Sequence, residues 1–385
     1  MVEVRYSPQT ETELHLFNLI EAQEHEQVVF CSAPEVGLRA IIAIHNTTLG
    51  PALGGTRMWT YASDLDALKD VLRLSRAMTY KAAVAGLNLG GGKAVIIGNP
   101  KTDKSEALFR AYGRFIEGLA GRYITAEDVG TSVQDMEYVR METKYVTGIS
   151  RALGGSGDPS PVTALGVYMG MKACVKEVFG TDSLAGRSVA VQGLGHVGMH
   201  LCRHLAKEGA RLYVTDLYEE RIQELLKDVK AEVVAPEAIY DVPADIFSPC
   251  ALGGVINSET IPRFRFKIIA GAANNQLADE DLHGRMLMER RILYAPDYVI
   301  NAGGLINVAN ELEGYNRERA LEQARGIYDI VRQVIELAKQ ERIATHEAAN
   351  RLAEERLRRV GAIKHIYTGQ SEFSGRLGQL RRYGR

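Results

Sequence analysis

Ser188-Val-Ala-Val-Gln-Gly-Leu-Gly-His-Val-Gly198 decides the fold of the second half of the chain. Its first five residues predict a strand, and three glycines follow with the spacing of a tight turn into a helix. Such glycines let the backbone approach a pyrophosphate at a helix N-terminus, where unpaired N–H groups attract anions. The alternative is a strand–helix turn that binds no ligand. The candidate cofactor contacts are Gly193, Gly195, His196, Val197 and Gly198.

A second predicted strand, residues 211–215, ends at Asp216, about twenty residues after the glycines. A carboxylate at this place accepts hydrogen bonds from a ribose 2′-hydroxyl group, and it repels a 2′-phosphate. Asp216 therefore favours NAD over NADP as the cofactor.

The chain has 385 residues, which is enough for two domains with cores of their own. Hydrophobic residues make up 46% and charged residues 24%, as in an ordinary soluble protein. The net charge of −2 argues against nucleic-acid binding driven by bulk charge. No apolar run is long enough to cross a membrane, and the N-terminus lacks the apolar segment of a signal peptide. The four cysteines are scattered, which predicts reduced thiols and a cytoplasmic protein.

Short apolar runs alternate with amphipathic stretches, which is the α/β pattern. The predicted strands cover 38–45, 93–97, 123–126, 188–192, 211–215, 244–248, 267–270 and 292–295. The predicted helices cover 63–80, 104–119, 162–179, 196–208, 218–228, 316–340 and 344–360. The Gly- and Pro-rich stretch 151–161 predicts a linker. We expect two α/β domains around a cleft: residues 1–150, completed by 344–385, and a Rossmann dinucleotide-binding domain over 151–343.

Lys81 and Lys93 are twelve residues apart, and three glycines precede Lys93. If both lysines face one cleft, each lowers the pKa of the other, and burial acts in the same direction. One lysine can then serve as a base while the other holds a carboxylate. The alternative is a pair of solvated surface lysines.

Asp128 follows Glu127 at the end of a predicted strand, where ligands bind in open parallel sheets. An acid there can exchange protons with a lysine; the alternative is a helix N-cap. Histidines at 196, 200 and 204 share one helical face, but no acidic or cysteine partner accompanies them, so we expect no biological metal site.

Four separate motifs together resemble the Glu/Leu/Phe/Val dehydrogenase family over about residues 14–365. They are Gly50-Pro-Ala-Leu-Gly-Gly-Thr-Arg-Met-Trp59, Leu87-Asn-Leu-Gly-Gly-Gly-Lys-Ala-Val-Ile-Ile-Gly-Asn-Pro100, Thr125-Ala-Glu-Asp-Val-Gly130 and Asn301-Ala-Gly-Gly304. The resemblance implies NAD-dependent oxidative deamination of an L-amino acid to a 2-oxo acid and ammonia. It also implies a homo-oligomer, commonly an octamer, and closure of the two domains during turnover.

The resemblance implies a role for each of several residues. Lys81 would hold the substrate carboxylate, Lys93 would be the base that activates water, and Asp128 would partner the amine. Thr163 would bind the nicotinamide amide. The remaining cofactor contacts that the resemblance implies are Cys250, Ala251, Asn274 and Asn275.

An apolar side-chain pocket is expected from Leu53, Gly54, Met78, Ala126, Leu305 and Val308. In glutamate-specific relatives a lysine and a serine stand where Leu53 and Val308 stand here. Burying a second substrate carboxylate against Leu53 and Val308 would cost roughly several kcal/mol. The expected substrates are therefore leucine, valine and isoleucine. Phenylalanine or tryptophan is the runner-up, and a non-catalytic nucleotide-binding protein is the remote alternative.

Overall fold

The computed structural model describes residues 16–363 and contains two sheets, each formed by six strands. The strands of the first sheet are β1 (Gln27–Ala33), β2 (Leu38–Asn46), β3 (Ala52–Leu53), β4 (Thr56–Trp59), β5 (Gly90–Ile97) and β6 (Tyr123–Ile124). They lie in the order β1-β2-β5-β3-β6, with β4 also paired to β5. The sheet is mixed, because β1, β2 and β5 are antiparallel while β3 pairs with β5 and β6 in parallel.

The second sheet is parallel throughout and has the order β12-β11-β10-β7-β8-β9. Its strands are β7 (Ser188–Gln192), β8 (Arg211–Thr215), β9 (Glu232–Val233), β10 (Ile246–Pro249), β11 (Ile268–Ile269) and β12 (Leu293–Tyr294). The strand order reverses direction at β7, since β8 and β10 flank it. Ligands bind at such a switch point, beyond the carboxyl ends of the strands. The predicted α/β class and Rossmann topology are confirmed.

Thirteen α-helices accompany the sheets within the described residues. They are α1 (Leu16–Glu21), α2 (Asp64–Val84), α3 (Glu106–Gly118), α4 (Val133–Arg140), α5 (Ser160–Phe179), α6 (His196–Lys207), α7 (Glu219–Leu226), α8 (Glu280–Glu289), α9 (Asp297–Ile300), α10 (Gly303–Ala309), α11 (Arg317–Arg325), α12 (Ile327–Glu341) and α13 (Thr345–Ala362). The first and last residues of the chain, 1–15 and 364–385, lie outside the described range, and with them part of the predicted N-terminal and C-terminal segments.

Three differences from the predicted elements have local causes. The predicted helix 316–340 is two helices that meet at Gly326. The predicted strand 93–97 begins earlier, at Gly90, because the glycines pair with β2 instead of forming an open loop. The alternative role of Asp128 as a helix N-cap is wrong: α4 is capped by Ser132, whose side chain forms a capping box with Asp135.

The last helix, α13, contacts both halves of the chain. Ala348 and Ala349 are buried in the apolar core around the second sheet. Further along the helix, Ala353 is buried with Leu49 and Ala83 from the first half of the chain. The spacing of small residues on one helical face allows this close approach.

Candidate active site

The structure brings Lys93 and Asp128 into direct contact. Lys93 lies in β5 and is buried, while Asp128 lies in the loop after β6. The Lys93 Nζ atom is 3.1 Å from Asp128 Oδ1. Burial alone would raise the pKa of Asp128, but the neighbouring cations Lys93 and Arg57 hold it below its ordinary value. Asp128 is therefore a carboxylate at neutral pH and can accept hydrogen bonds from an ammonium or amine group.

Lys81 lies in the last turn of α2 and points toward the second half of the chain. Its Nζ atom donates a hydrogen bond of 2.6 Å to Asn301 Oδ1, in the turn between α9 and α10. Burial lowers the pKa of Lys81 to about 8, with Asp297 opposing this shift and Lys93 reinforcing it. The sequence predicts a lowered pKa for one of the two lysines, and in the structure this lysine is Lys81. The family resemblance, in contrast, assigns the role of catalytic base to Lys93.

The glycines before Lys93 serve close packing. A Cβ atom on Gly91 would lie 2.1 Å from the Thr79 backbone nitrogen, and one on Gly92 would lie 2.7 Å from the Tyr123 ring. Gly54 has the same constraint, since its Cβ would lie 1.7 Å from Gly92 O. These contacts place α2, and therefore Lys81, directly against the strand that carries Lys93.

The predicted apolar pocket residues come together from both halves of the chain. Leu53 on β3 and Leu305 on α10 are buried in one apolar cluster, and Met78 on α2 and Val308 on α10 pack against it. Ala126, immediately before the acidic pair, is also buried. Met78 lies on α2, the helix that also carries Lys81.

The turn after β7 has the shape that a pyrophosphate requires. Gly193 has φ of +99°, and a Cβ on it would lie 2.6 Å from Ala251 Cβ. A Cβ on Gly198 would lie 2.1 Å from Gly193 O, so this residue fixes the contact of α6 with the turn. Around Gly195, which caps α6, a Cβ would meet no atom within 4 Å. Gly195 and His196 line a cavity of about 430 Å³ at the N-terminus of α6. Open space at a helix N-terminus fits a dinucleotide phosphate.

Asp216 also supports this turn. Its Oδ2 accepts a 2.6 Å hydrogen bond from the Leu194 backbone N–H, and its Oδ1 accepts one of 2.9 Å from Tyr218. The side chain is only 5% exposed. The carboxylate therefore holds the glycine turn, a role that the spacing of Asp216 alone did not indicate.

The other predicted cofactor contacts lie in three places. Thr163 is at the start of α5, where its hydroxyl donates to Pro159 O at 3.0 Å. Cys250 follows β10, and its backbone N–H donates to Gln192 O in β7. Asn274 accepts a 2.7 Å hydrogen bond from Asn301, which links it to Lys81. Ala251 contacts Gly193 as described, and Asn275 has a left-handed backbone.

Three residues of the site were missed by the sequence analysis. Arg57 contacts Asp128, Asn301 contacts Lys81, and Asp297 is a buried carboxylate that acts on Lys81. Arg57 and Asn301 lie inside motifs on which the family resemblance rests, and this position was the signal that could have identified them. Within residues 16–363, no group of three or more His, Cys, Asp or Glu residues is placed to hold a metal ion. His204 stacks instead on Tyr168.

Two family models match the chain. Residues 25–145 match the Glu/Leu/Phe/Val dehydrogenase dimerisation domain, and residues 154–216 and 213–362 match the Glutamate/Leucine/Phenylalanine/Valine dehydrogenase model. The fold and site define a dinucleotide-binding dehydrogenase of the two-sheet α/β type. The chain belongs to the Glu/Leu/Phe/Val dehydrogenase family.

Relatives and solved structures agree with this assignment. A leucine dehydrogenase from Thermoactinomyces intermedius is 61% identical over 344 residues, which is 89% of this chain and 94% of the relative. A phenylalanine dehydrogenase from Bacillus thermotolerans is 53% identical over 92% of this chain and 94% of its own length. The crystal structure of L-tryptophan dehydrogenase from Nostoc punctiforme, 50% identical, has a TM-score of 0.80 and covers 90% of this chain and 99% of its own.

The predicted enzyme class, oxidative deamination of an amino acid, and NAD as the cofactor are confirmed by this membership. The match to a dimerisation domain also supports assembly of like subunits. In the part of the chain that the structure describes, no helix is both long and apolar enough to span a membrane.

Proposed function

We propose that the enzyme prefers branched-chain L-amino acids, with leucine first and valine and isoleucine as further substrates. The reaction is reversible: amino acid, NAD⁺ and water give the 2-oxo acid, ammonium, NADH and a proton. The observation that carries the proposal is the apolar cluster that contains Leu53 and Leu305, against which Val308 and Met78 pack, with Met78 on the helix that carries Lys81. The high identity to leucine dehydrogenases supports the same preference.

Each polar side chain has one proposed task. Lys81 binds the substrate carboxylate, and Asp128 accepts a hydrogen bond from the substrate amine. Lys93 first passes its own proton to Asp128, and as a neutral amine it then takes a proton from the water that attacks the imine carbon. When bound, NAD⁺ supplies the acceptor for the hydride from the substrate Cα.

For the cofactor, we propose contacts from the glycine turn, Asp216, Thr163, Cys250, Ala251, Asn274 and Asn275. The open space at Gly195 supports pyrophosphate binding at the N-terminus of α6. The position of Thr163 at the start of α5 supports a contact to the nicotinamide side of the cleft.

The apolar cluster also argues against glutamate as a substrate. It offers no cation to a second carboxylate, because Leu53 and Leu305 are buried hydrocarbon side chains. Phenylalanine and tryptophan remain the second candidates, since the phenylalanine and tryptophan dehydrogenases are 53% and 52% identical to this chain.

Larger features are proposed as well. The domain division is 1–150, completed by 344–385, and 151–343, supported by the two separate sheets. The assembly is a homo-octamer, and the location is the cytoplasm, which the four free cysteines support.

The experiment is a survey of NADH formation with the twenty L-amino acids, run in parallel with NADP⁺. We expect the fastest rates with leucine, valine and isoleucine, and only with NAD⁺. Faster rates with phenylalanine or tryptophan would overturn the assignment of the pocket, and no rate with any amino acid would overturn the proposed reaction.

A further inference from the structure

Arg57 lies between two acidic side chains that belong to different elements. From β4, its Nε atom is 3.1 Å from Asp128 Oδ2, and its Nη1 atom is 3.0 Å from Asp70 Oδ2. The side chain is only 22% exposed, so solvent screens these ion pairs weakly. The guanidinium group thus joins the middle of α2 to the loop that carries Asp128.

Asp70 is itself held firmly. Its Oδ2 also accepts a 2.8 Å hydrogen bond from the Tyr61 hydroxyl, and its Oδ1 accepts one of 2.9 Å from Arg73. Although burial raises the pKa of Asp70, the Tyr61 hydrogen bond and the two arginines lower it below its ordinary value. A charged, fixed Asp70 fixes Arg57 in turn.

The two oxygens of Asp128 therefore have separate partners. Arg57 takes Oδ2, and Oδ1 remains directed at Lys93. The result is a row of alternating charges, Asp70, Arg57, Asp128 and Lys93, that runs from α2 through β4 to the buried Lys93 on β5. Without Arg57, the carboxylate of Asp128 would be free to rotate about its χ2 bond and would lose a charge-assisted hydrogen bond.

We propose that Arg57, anchored by Asp70, is a positioning residue for the deamination, because it fixes the Asp128 carboxylate with Oδ1 toward Lys93 and the substrate amine. The inference rests on the proposed role of Asp128. Arg57 acts through Asp128 and does not need to touch the substrate. It also keeps Asp128 ionised, so that this residue receives protons instead of donating them.

Several ionisable groups besides Arg57 act on Asp128, and the test must distinguish Arg57 from them. They are Lys93 on β5, Lys81 on α2, Tyr61 after β4, Tyr123 on β6 and the adjacent Glu127. Lys93 and Lys81 stabilise the carboxylate, and Glu127 opposes it. None of them contacts Asp128 Oδ2 at hydrogen-bond distance in the way that Arg57 does.

The test compares Arg57→Met, Arg57→Lys and the control Arg73→Met, all as full-length protein with NAD⁺ and leucine. Arg73 contacts Asp70 but not Asp128, so its loss removes a neighbouring cation without freeing the carboxylate. For Arg57→Met we expect kcat to fall by about tenfold or more, the loss typical of a charge-assisted hydrogen bond. The acid limb of its kcat/KM profile should move to higher pH, because Asp128 then takes up a proton more easily.

Arg57→Lys restores the charge but not the two-sided contact. It should return the acid limb toward that of the wild type while kcat recovers only in part. Arg73→Met should keep the wild-type acid limb. Thermal unfolding and NADH fluorescence titration, measured for each variant, report the folded fraction and cofactor binding.

Two results would overturn the inference while leaving the proposed function in place. One is an active wild type with an Arg57→Met variant whose kcat and acid limb are unchanged. The other is a loss of kcat that follows only the loss of folded protein in all three variants, with no change in the pH profile. An inactive wild type would instead overturn the proposed function itself.

Discussion

Lys81 is the titrating group of the site whose pKa falls in the working range. Burial lowers the pKa of Lys81 to about 8, which is well below the pKa of an exposed lysine. The ammonium form, which can hold a carboxylate, predominates below this pH, and the neutral amine predominates above it. The proposed binding role therefore has a pH dependence with a definite sign.

We predict that the affinity of the NADH-bound enzyme for the leucine-derived 2-oxo acid falls as the pH rises through about 8. Titration of the 2-oxo acid between pH 6 and pH 10, with the dissociation constant measured at each step, checks this. Lys81→Gln should bind weakly at every pH, while Lys101→Gln, which changes an exposed lysine, should follow the wild type. An affinity that stays constant through pH 8 would separate Lys81 from carboxylate binding.

Asp216 combines two tasks that the variants can separate. Asp216→Ala removes the acceptor of the Leu194 and Tyr218 N–H groups, so we expect a loss of stability of about 1–3 kcal/mol besides weaker NAD selectivity. Asp216→Asn keeps one acceptor but directs an amide N–H at the other backbone donor. The measurements are thermal unfolding and the ratio of kcat/KM values for NAD⁺ and NADP⁺; an unchanged ratio in both variants would remove Asp216 from ribose recognition.

At the scale of elements, the end of helix α2 depends on α13. The Arg356 guanidinium donates to the backbone oxygens of Ala83 and Leu87 at 2.8 Å, and to Gly86 O at 3.1 Å. Arg356 thereby satisfies carbonyl groups that a helix C-terminus leaves unpaired, with a charge that suits the helix dipole. Lys81 lies in the same last turn.

Arg356→Ala should lower the free energy of unfolding by about 2 kcal/mol or more, because several carbonyl acceptors lose a charged donor. We also expect a higher KM for the amino acid, since the turn that carries Lys81 loosens. Denaturant unfolding and steady-state kinetics measure the two effects. Arg358→Ala is the matched control on the same helix, because Arg358 is exposed and, among residues 16–363, its ion pair is with Glu355. Equal effects of both variants would contradict the capping role.

At the scale of the whole molecule, the segment between the two sheets is tied to the second half of the chain by Glu311. Its Oε1 accepts a hydrogen bond of 2.8 Å from the Ser156 N–H, and its Oε2 accepts one of 3.0 Å from Gly148. Glu311 lies in the turn that follows α10, and α10 is the helix that carries the pocket residues Leu305 and Val308. Glu311 therefore joins the connecting segment to the substrate side of the cleft.

Glu311→Ala should free these backbone N–H groups and make the segment 148–157 a site of faster proteolysis. If the two halves of the chain move during turnover, kcat should also fall, because domain movements often limit turnover. Limited proteolysis with mass analysis of the fragments, together with kcat, tests this. Glu313→Ala, which changes an exposed carboxylate two residues away, provides the control. Equal cleavage of both variants and the wild type would show that Glu311 does not restrain the segment.

The sequence by itself determined the main strands and helices of the second half of the chain, and it proposed the reactive groups. The apolar strand before Gly193 and the helix after it follow from spacing and propensity, and the structure confirms both. Lys81, Lys93 and Asp128 were proposed from the three glycines before Lys93, from the strand end before Asp128 and from the family resemblance. The same logic missed Arg57, since an arginine on a strand next to a helix has no local sign of its partner.

Only the tertiary structure decided how these groups act on one another. Contact between Lys93 and Asp128 joins strand β5 to the loop after β6, and Lys81 meets Asn301 over a separation of 220 residues. Hydrogen bonds and pKa shifts depend on distance and burial, which change steeply over a few ångströms. The periodicity of apolar and polar residues along the chain does not give the distances between residues that are far apart in the sequence. For this reason the lowered pKa of Lys81, the anchoring of Asp128 by Arg57 and the support of the glycine turn by Asp216 were determined by the fold and not by the sequence pattern.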